Sequence, residues 1–174
     1  MEQQRPFFQS ARTLNIGPLP AGEMAVFISD LFKKAGRACD TDQALHIVNA
    51  IQKANGCHPY YTQQIAQIVF DMGGKITPSM VNEAVEILIE ENRFFFEGLL
   101  QGLAPAQKLL LKTLAKEPTA EVLASAYVAK WRIGSVGGIR NSLTKLIELD
   151  YVSRESDHVI RVVDPLFGIW LRRR

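Results

Sequence analysis

Two stretches of the chain carry side chains whose type and spacing could do chemistry. The first, Asn55-Gly56-Cys57-His58-Pro59-Tyr60-Tyr61-Thr62-Gln63-Gln64, leads from a glycine helix cap into a new helix start. The N–H groups of such a start attract anions, and the flanking Pro and Tyr rings offer a flat apolar surface to a purine. The same pattern also suits a plain junction between two helices. The second stretch, Ser135-Val136-Gly137-Gly138-Ile139-Arg140-Asn141, opens a helix on which Arg140, Asn141, Thr144 and Lys145 point away from the apolar stripe. Arg and Asn are well fitted to read guanine and adenine edges in a major groove. Gly137 and Gly138 carry no reading side chain, and each weakens a helix by about 1 kcal/mol relative to Ala. Close approach of the backbone to a phosphate or to another protein surface would account for them. Arg154, His158 and Arg161 add positive groups on a following hairpin, where they serve equally well as a solvated face.

Enzymatic chemistry finds little support. The single Gly-Lys dipeptide, Gly74-Lys75, is followed by Ile76 and lacks the earlier glycine, so the nest of N–H groups that cradles phosphates is missing. His46, His58 and His158 sit in separate segments without metal-ligand spacing, and a predicted helix separates Cys39 from Cys57, which disfavours a zinc or redox pair. No G-x-S-x-G elbow nominates a nucleophile.

The elements that must position these residues follow from apolar spacing. Four helices are predicted between residues 20 and 102. Met24, Phe27, Ile28, Leu31, Phe32 and Ala35 form the stripe of the first, which Gly36 ends. Asp40 and Gln43 cap the second, which runs to Asn55-Gly56; Pro59 opens the third, which stops at Gly73-Gly74. Thr77-Pro78 opens the fourth and longest, whose stripe reaches Leu99, with Phe94-Phe95-Phe96 expected to pack where two bodies meet. Beyond it come a helix from Pro105, a second holding Val122, Leu123, Ala126, Tyr127 and Trp131, and a third from Ser135. A hairpin of 151–155 and 158–163 and a short helix after Asp164-Pro165 complete the order of a winged helix-turn-helix domain. The predicted fold is mainly α: a four-helix, lid-like bundle followed by a winged helix-turn-helix with one hairpin.

Composition agrees with a compact intracellular protein. The 174 residues are 47% hydrophobic and 22% charged with two cysteines, outside the ranges of disordered chains and disulfide scaffolds. No apolar run approaches the roughly 20 residues of a membrane span, so no membrane contact and a cytoplasmic setting are expected. Residues 1–99 carry net charge −3 and residues 100–174 net +5, which makes the second half the candidate for anionic partners. The strand-like segment within residues 5–16 has no evident partner strand, which suggests the C-terminal part of something larger, the alternative being a disordered or swapped N-terminal arm.

Three pieces then line up: Ile16-Gly17-Pro18-Leu19-Pro20, the Asn55–Tyr61 stretch, and the winged-helix pattern ending in Val163-Asp164-Pro165-Leu166-Phe167-Gly168-Ile169-Trp170-Leu171. Together they resemble the C-terminal half of the archaeal-type P-loop ATPases, AAA+ and STAND-like relatives of the origin-recognition initiators. The resemblance covers almost the whole chain. It implies that residues 1–19 are a remnant strand and linker of a missing N-terminal P-loop domain, 20–102 a helical lid with its connecting helix, and 103–174 a winged-helix domain. It places Pro18 near the adenine of a bound nucleotide and matches Gly56 and Pro59 to the G-x-P-like element of the lid, with His58 and Tyr60 beside it. ATP or ADP with magnesium belongs to the parent ATPase. None is expected on this chain alone, which lacks the phosphate loop and the acidic magnesium-binding strand. No arginine closely follows the G-x-P-like element, so no sensor arginine is assigned.

The resemblance implies a non-catalytic fragment whose lid helps to sense nucleotide and whose winged helix contacts double-stranded DNA or a protein partner through Arg140, Asn141, Thr144, Lys145, Arg154 and Arg161. The alternatives are a self-contained winged-helix transcription regulator, which would bind duplex DNA unaided, and a pure protein-interaction module using the wing and the Phe94–Phe96 region.

Overall fold

The computed structural model describes residues 19–53 and 56–174. The expected strand within residues 5–16, and Pro18, lie outside the described residues. Helix α1 (Ala21–Lys34) buries Met24, Ala25, Ile28, Ser29 and Phe32 and ends where Gly36 takes φ +76°. There the Arg37 N–H reaches back to the Phe32 carbonyl at 2.9 Å. Phe27 and Leu31, expected in the stripe, are 48% and 42% exposed, because α1 packs mainly through its other flank on α2 (Thr41–Asn49). Asp40 and Gln43 form the expected capping box at the start of α2.

Helix α2 stops at Asn49, short of the expected Asn55-Gly56. The chain instead forms a small antiparallel hairpin of β1 (Gln52–Lys53) and β2 (Gly56–Cys57), pairing Gln52 with Cys57 and Lys53 with Gly56. The glycine expected to cap the helix instead lies in β2, paired with Lys53. Leu19 joins by a bridge to Cys57, whose N–H donates to the Leu19 carbonyl at 3.2 Å. Helix α3 (Pro59–Met72) begins with Pro59 in its first turn and ends at Gly73, φ +69°. Helix α4 (Pro78–Glu91) is capped by the Thr77 hydroxyl, which accepts the Met80 N–H at 3.3 Å.

The expected single long helix divides at Asn92 into α4 and α5 (Arg93–Gln101). The Asn92 amide donates to the Leu88 carbonyl at 2.8 Å and so competes with the backbone ladder at that turn. Of the three consecutive phenylalanines only Phe96 is buried; Phe94 and Phe95 are 74% and 61% exposed.

The second body consists of α6 (Pro105–Lys116), α7 (Ser125–Trp131), α8 (Val136–Glu148), β3 (Val152–Arg154), β4 (Ile160–Val162) and α9 (Pro165–Arg172). Helix α7 is shorter than expected, since Val122 and Leu123 precede it. The connection before it is used differently: the Thr119 carbonyl accepts the Ile160 N–H at 2.9 Å and gives the wing a third, single-residue edge. The hairpin is also shorter and its loop wider than the sequence suggested, with residues 155–159 between the strands. Leu110, Leu111, Leu114, Ile139, Leu146, Ile160 and Leu166 fill the core between α6, α8, the wing and α9.

Phe96 joins the bodies. Its ring centroid lies 5.2 Å from that of Phe167 and 5.8 Å from that of Trp170, and the Tyr151 hydroxyl donates to the Leu99 carbonyl at 3.1 Å. Arg173 pairs with Glu86, and Arg174 with Glu97 at 2.9 Å. The fold is therefore mainly α, a four-helix bundle (α1–α4) followed by a winged helix-turn-helix domain. Among the described residues no helix is long and apolar enough to cross a membrane.

Candidate functional site

The start of α3 brings His58, Pro59 and Tyr60 together. His58 precedes the helix in extended conformation, φ −97° and ψ 101°, because Pro59 disfavours helical backbone in the residue before it. The His58 ring lies 4.7 Å from that of Tyr61, which in turn meets the Tyr60 ring edge-on at 5.2 Å. Tyr60 is 62% exposed, with its hydroxyl held by the Gln64 amide at 3.1 Å. One aromatic face is thus fixed in place and open. Gly56, on the neighbouring β2 strand, is held by pairing with Lys53.

Tyr61 turns the other way. It is buried, and its hydroxyl donates to Asp164 Oδ2 at 2.6 Å across the two bodies. Burial, and then the hydrogen bond to Asp164, push the Tyr61 phenol well above its ordinary value. The second Asp164 oxygen accepts the Phe167 N–H at 2.9 Å and caps α9. No local sequence pattern links Asp164 to a tyrosine 103 positions earlier.

Among the described residues no group of three or more His, Cys, Asp or Glu is placed to hold a metal ion.

On the winged helix, Ser135 Oγ accepts the Gly138 N–H at 3.3 Å and starts α8. The preceding turn is built by Arg132 at φ 50° and Gly134 at φ 103°. Arg140, Asn141, Thr144 and Lys145 are all exposed on α8. The Thr144 hydroxyl donates to the Arg140 carbonyl at 3.1 Å, and Lys145 pairs with Glu148 at 3.2 Å. On the wing, Arg154 donates to the His158 carbonyl at 3.2 Å, and Arg161 grips Glu155 at 3.0 Å and Asp157 at 2.8 Å. The Arg161 guanidinium, with help from the Val159 N–H, pulls the Asp157 carboxyl down to about 2. The structure therefore brings the α8 residues onto one open surface, while Arg161 is occupied within the wing.

This arrangement of helices and hairpin defines the class. Residues 94–173 match the family described as "Probable winged helix domain". No curated protein matches the sequence. Among solved structures, the chain is similar to the Walker-type ATPase Paby2304 of Pyrococcus abyssi, with a TM-score of 0.67 at 13% identity. The match covers 89% of this chain and 42% of that one. At that identity the likeness concerns the fold, and it extends across both the helical bundle and the winged helix.

Proposed function

We propose that this chain is the non-catalytic lid and winged-helix portion of an ATP-binding regulatory ATPase, in which the α3 corner senses nucleotide and the winged helix contacts a macromolecular partner. The observation that carries the reading is the Tyr61–Asp164 hydrogen bond. It makes the aromatic corner and the start of α9 parts of one connected unit, so a base stacked on Tyr60 and His58 would bias how the winged helix sits. The fold shared with a Walker-type ATPase, of which this chain spans 42%, supports the same assignment.

In this reading Pro18, Gly56, His58, Pro59 and Tyr60 frame the base, while phosphates and magnesium are held by a preceding P-loop domain. A ligand that contacts both domains has the differential affinity needed to shift the geometry between them. Small-angle scattering of the complete ATPase with ATP, with ADP and without nucleotide tests this. The expected result is a different arrangement of lid and winged helix in the two nucleotide states; identical profiles in all three conditions overturn it.

A further inference from the structure

The charge over α8 and the wing discriminates between two kinds of partner. Between Val136 and Val163, Arg140, Lys145, Arg154 and Arg161 are balanced by Glu148, Asp150, Glu155 and Asp157, so the surface that would face DNA has no net charge. Lys145 and Arg161 are already paired with carboxylates. The positive surplus of the second half lies elsewhere, in part as Lys108, Lys112 and Lys116. These recur every four residues on the side of α6 turned away from its buried Leu110, Leu111 and Leu114. A duplex on α8, the turn before it and the wing would find Arg132, Arg140 and Arg154 without a carboxylate partner, neutralising about three phosphates, where firm binders use about 6–10.

The α8 surface is better suited to protein. Val136 and Ile147 are 49% and 40% exposed and share with Arg140 one flank of the helix, within about 40° at 100° per residue. Among the described residues no carboxylate pairs with Arg140. A Cβ placed on Gly137 would meet nothing within 4 Å, so a partner's backbone can come close beside that guanidinium. Arginine is enriched at the centres of protein interfaces, and a planar guanidinium selects a carboxylate.

We propose that α8 docks an acidic, aliphatic segment of a partner protein, with a carboxylate on Arg140 and aliphatic side chains against Val136 and Ile147. This rests on the winged helix being the contact surface of the Proposed function, and it excludes duplex DNA as the ligand of α8.

The test selects random peptides displayed on phage against the immobilised full chain, then titrates the enriched peptide and a random-sequence duplex into the isotopically labelled chain. The enriched sequences should combine Asp or Glu with Leu or Ile and shift amide signals of residues 136–148. Arg140→Glu should weaken binding by about tenfold or more, and exchanging the peptide carboxylate for an ammonium should restore it. Val136→Asp should weaken binding as well; both positions are exposed, and an unchanged unfolding midpoint verifies that each variant folds.

The proposal is overturned if selection yields no peptide sensitive to these variants. Duplex binding that shifts α8 signals, falls on Arg140→Ala and shows a log–log salt slope steeper than about −4 also overturns it. Such DNA binding would leave the ATPase reading intact, whereas nucleotide-independent scattering of the complete ATPase would remove that reading and leave peptide docking standing.

Discussion

Arg37 sits just past the end of α1 and completes the end of α3. Its guanidinium lies 5.5 Å from the Phe32 ring centroid and 5.7 Å from that of Phe70, and it donates to the carbonyls of Val69, Phe70, Gly73 and Gly74. The last carbonyls of a helix need such donors, and a planar fork supplies several at once. Arg37→Lys keeps the charge and loses the fork, so the urea midpoint should fall by an amount equivalent to about 2 kcal/mol with little change in slope. Asp157 provides a pH-dependent counterpart. Its carboxyl is held at about 2 by Arg161, so the contribution of this pair is full above the ordinary value of 3.8 and disappears as pH falls through about 2. An NMR titration should find the Asp157 midpoint near 2 and, in Arg161→Gln, a midpoint moved up toward 3.8.

Single elements show how far local sequence could be read. The capping box at Asp40, Pro59 at a helix start and the glycine ends at Gly36 and Gly73 are short-range signals, and the helix ends they mark form where expected. Asn92 and the Thr119 edge were illegible, because each depends on a competing or distant hydrogen bond rather than on apolar period. The exposure of Phe27 and Phe95 was hidden for the same reason: a stripe tells which residues can be buried, while the neighbouring helices decide how wide a face is covered. At the candidate site, His58 and Tyr60 stand two positions apart and were readable as neighbours, whereas the Tyr61 tether to Asp164 was not. Tyr61→Phe should lower stability by about 1–2 kcal/mol and speed amide exchange in α9 more than in α8. Gly137→Ala adds a methyl group to an open helix surface, so it should raise the melting temperature by an amount equivalent to about 0.5–1 kcal/mol.

For the molecule as a whole, the Phe96–Phe167–Trp170 cluster determines whether the two bodies melt together. Phe96 is fully buried, and its removal should cost about 3–5 kcal/mol. Calorimetry of the intact chain should give one transition, and Phe96→Ala should separate it into two as the bundle and the winged helix lose their common packing. The pairs of Arg173 with Glu86 and Arg174 with Glu97 are exposed and contribute little beside that aromatic packing. Their placement nonetheless sets an order for biosynthesis. Phe96 leaves the ribosome well before Phe167 and Trp170, so until α9 emerges its ring lacks the aromatic partners that cover it. A nascent chain paused in that interval shows one more aromatic ring to its surroundings than the finished fold does, and translation through the α9 codons covers it.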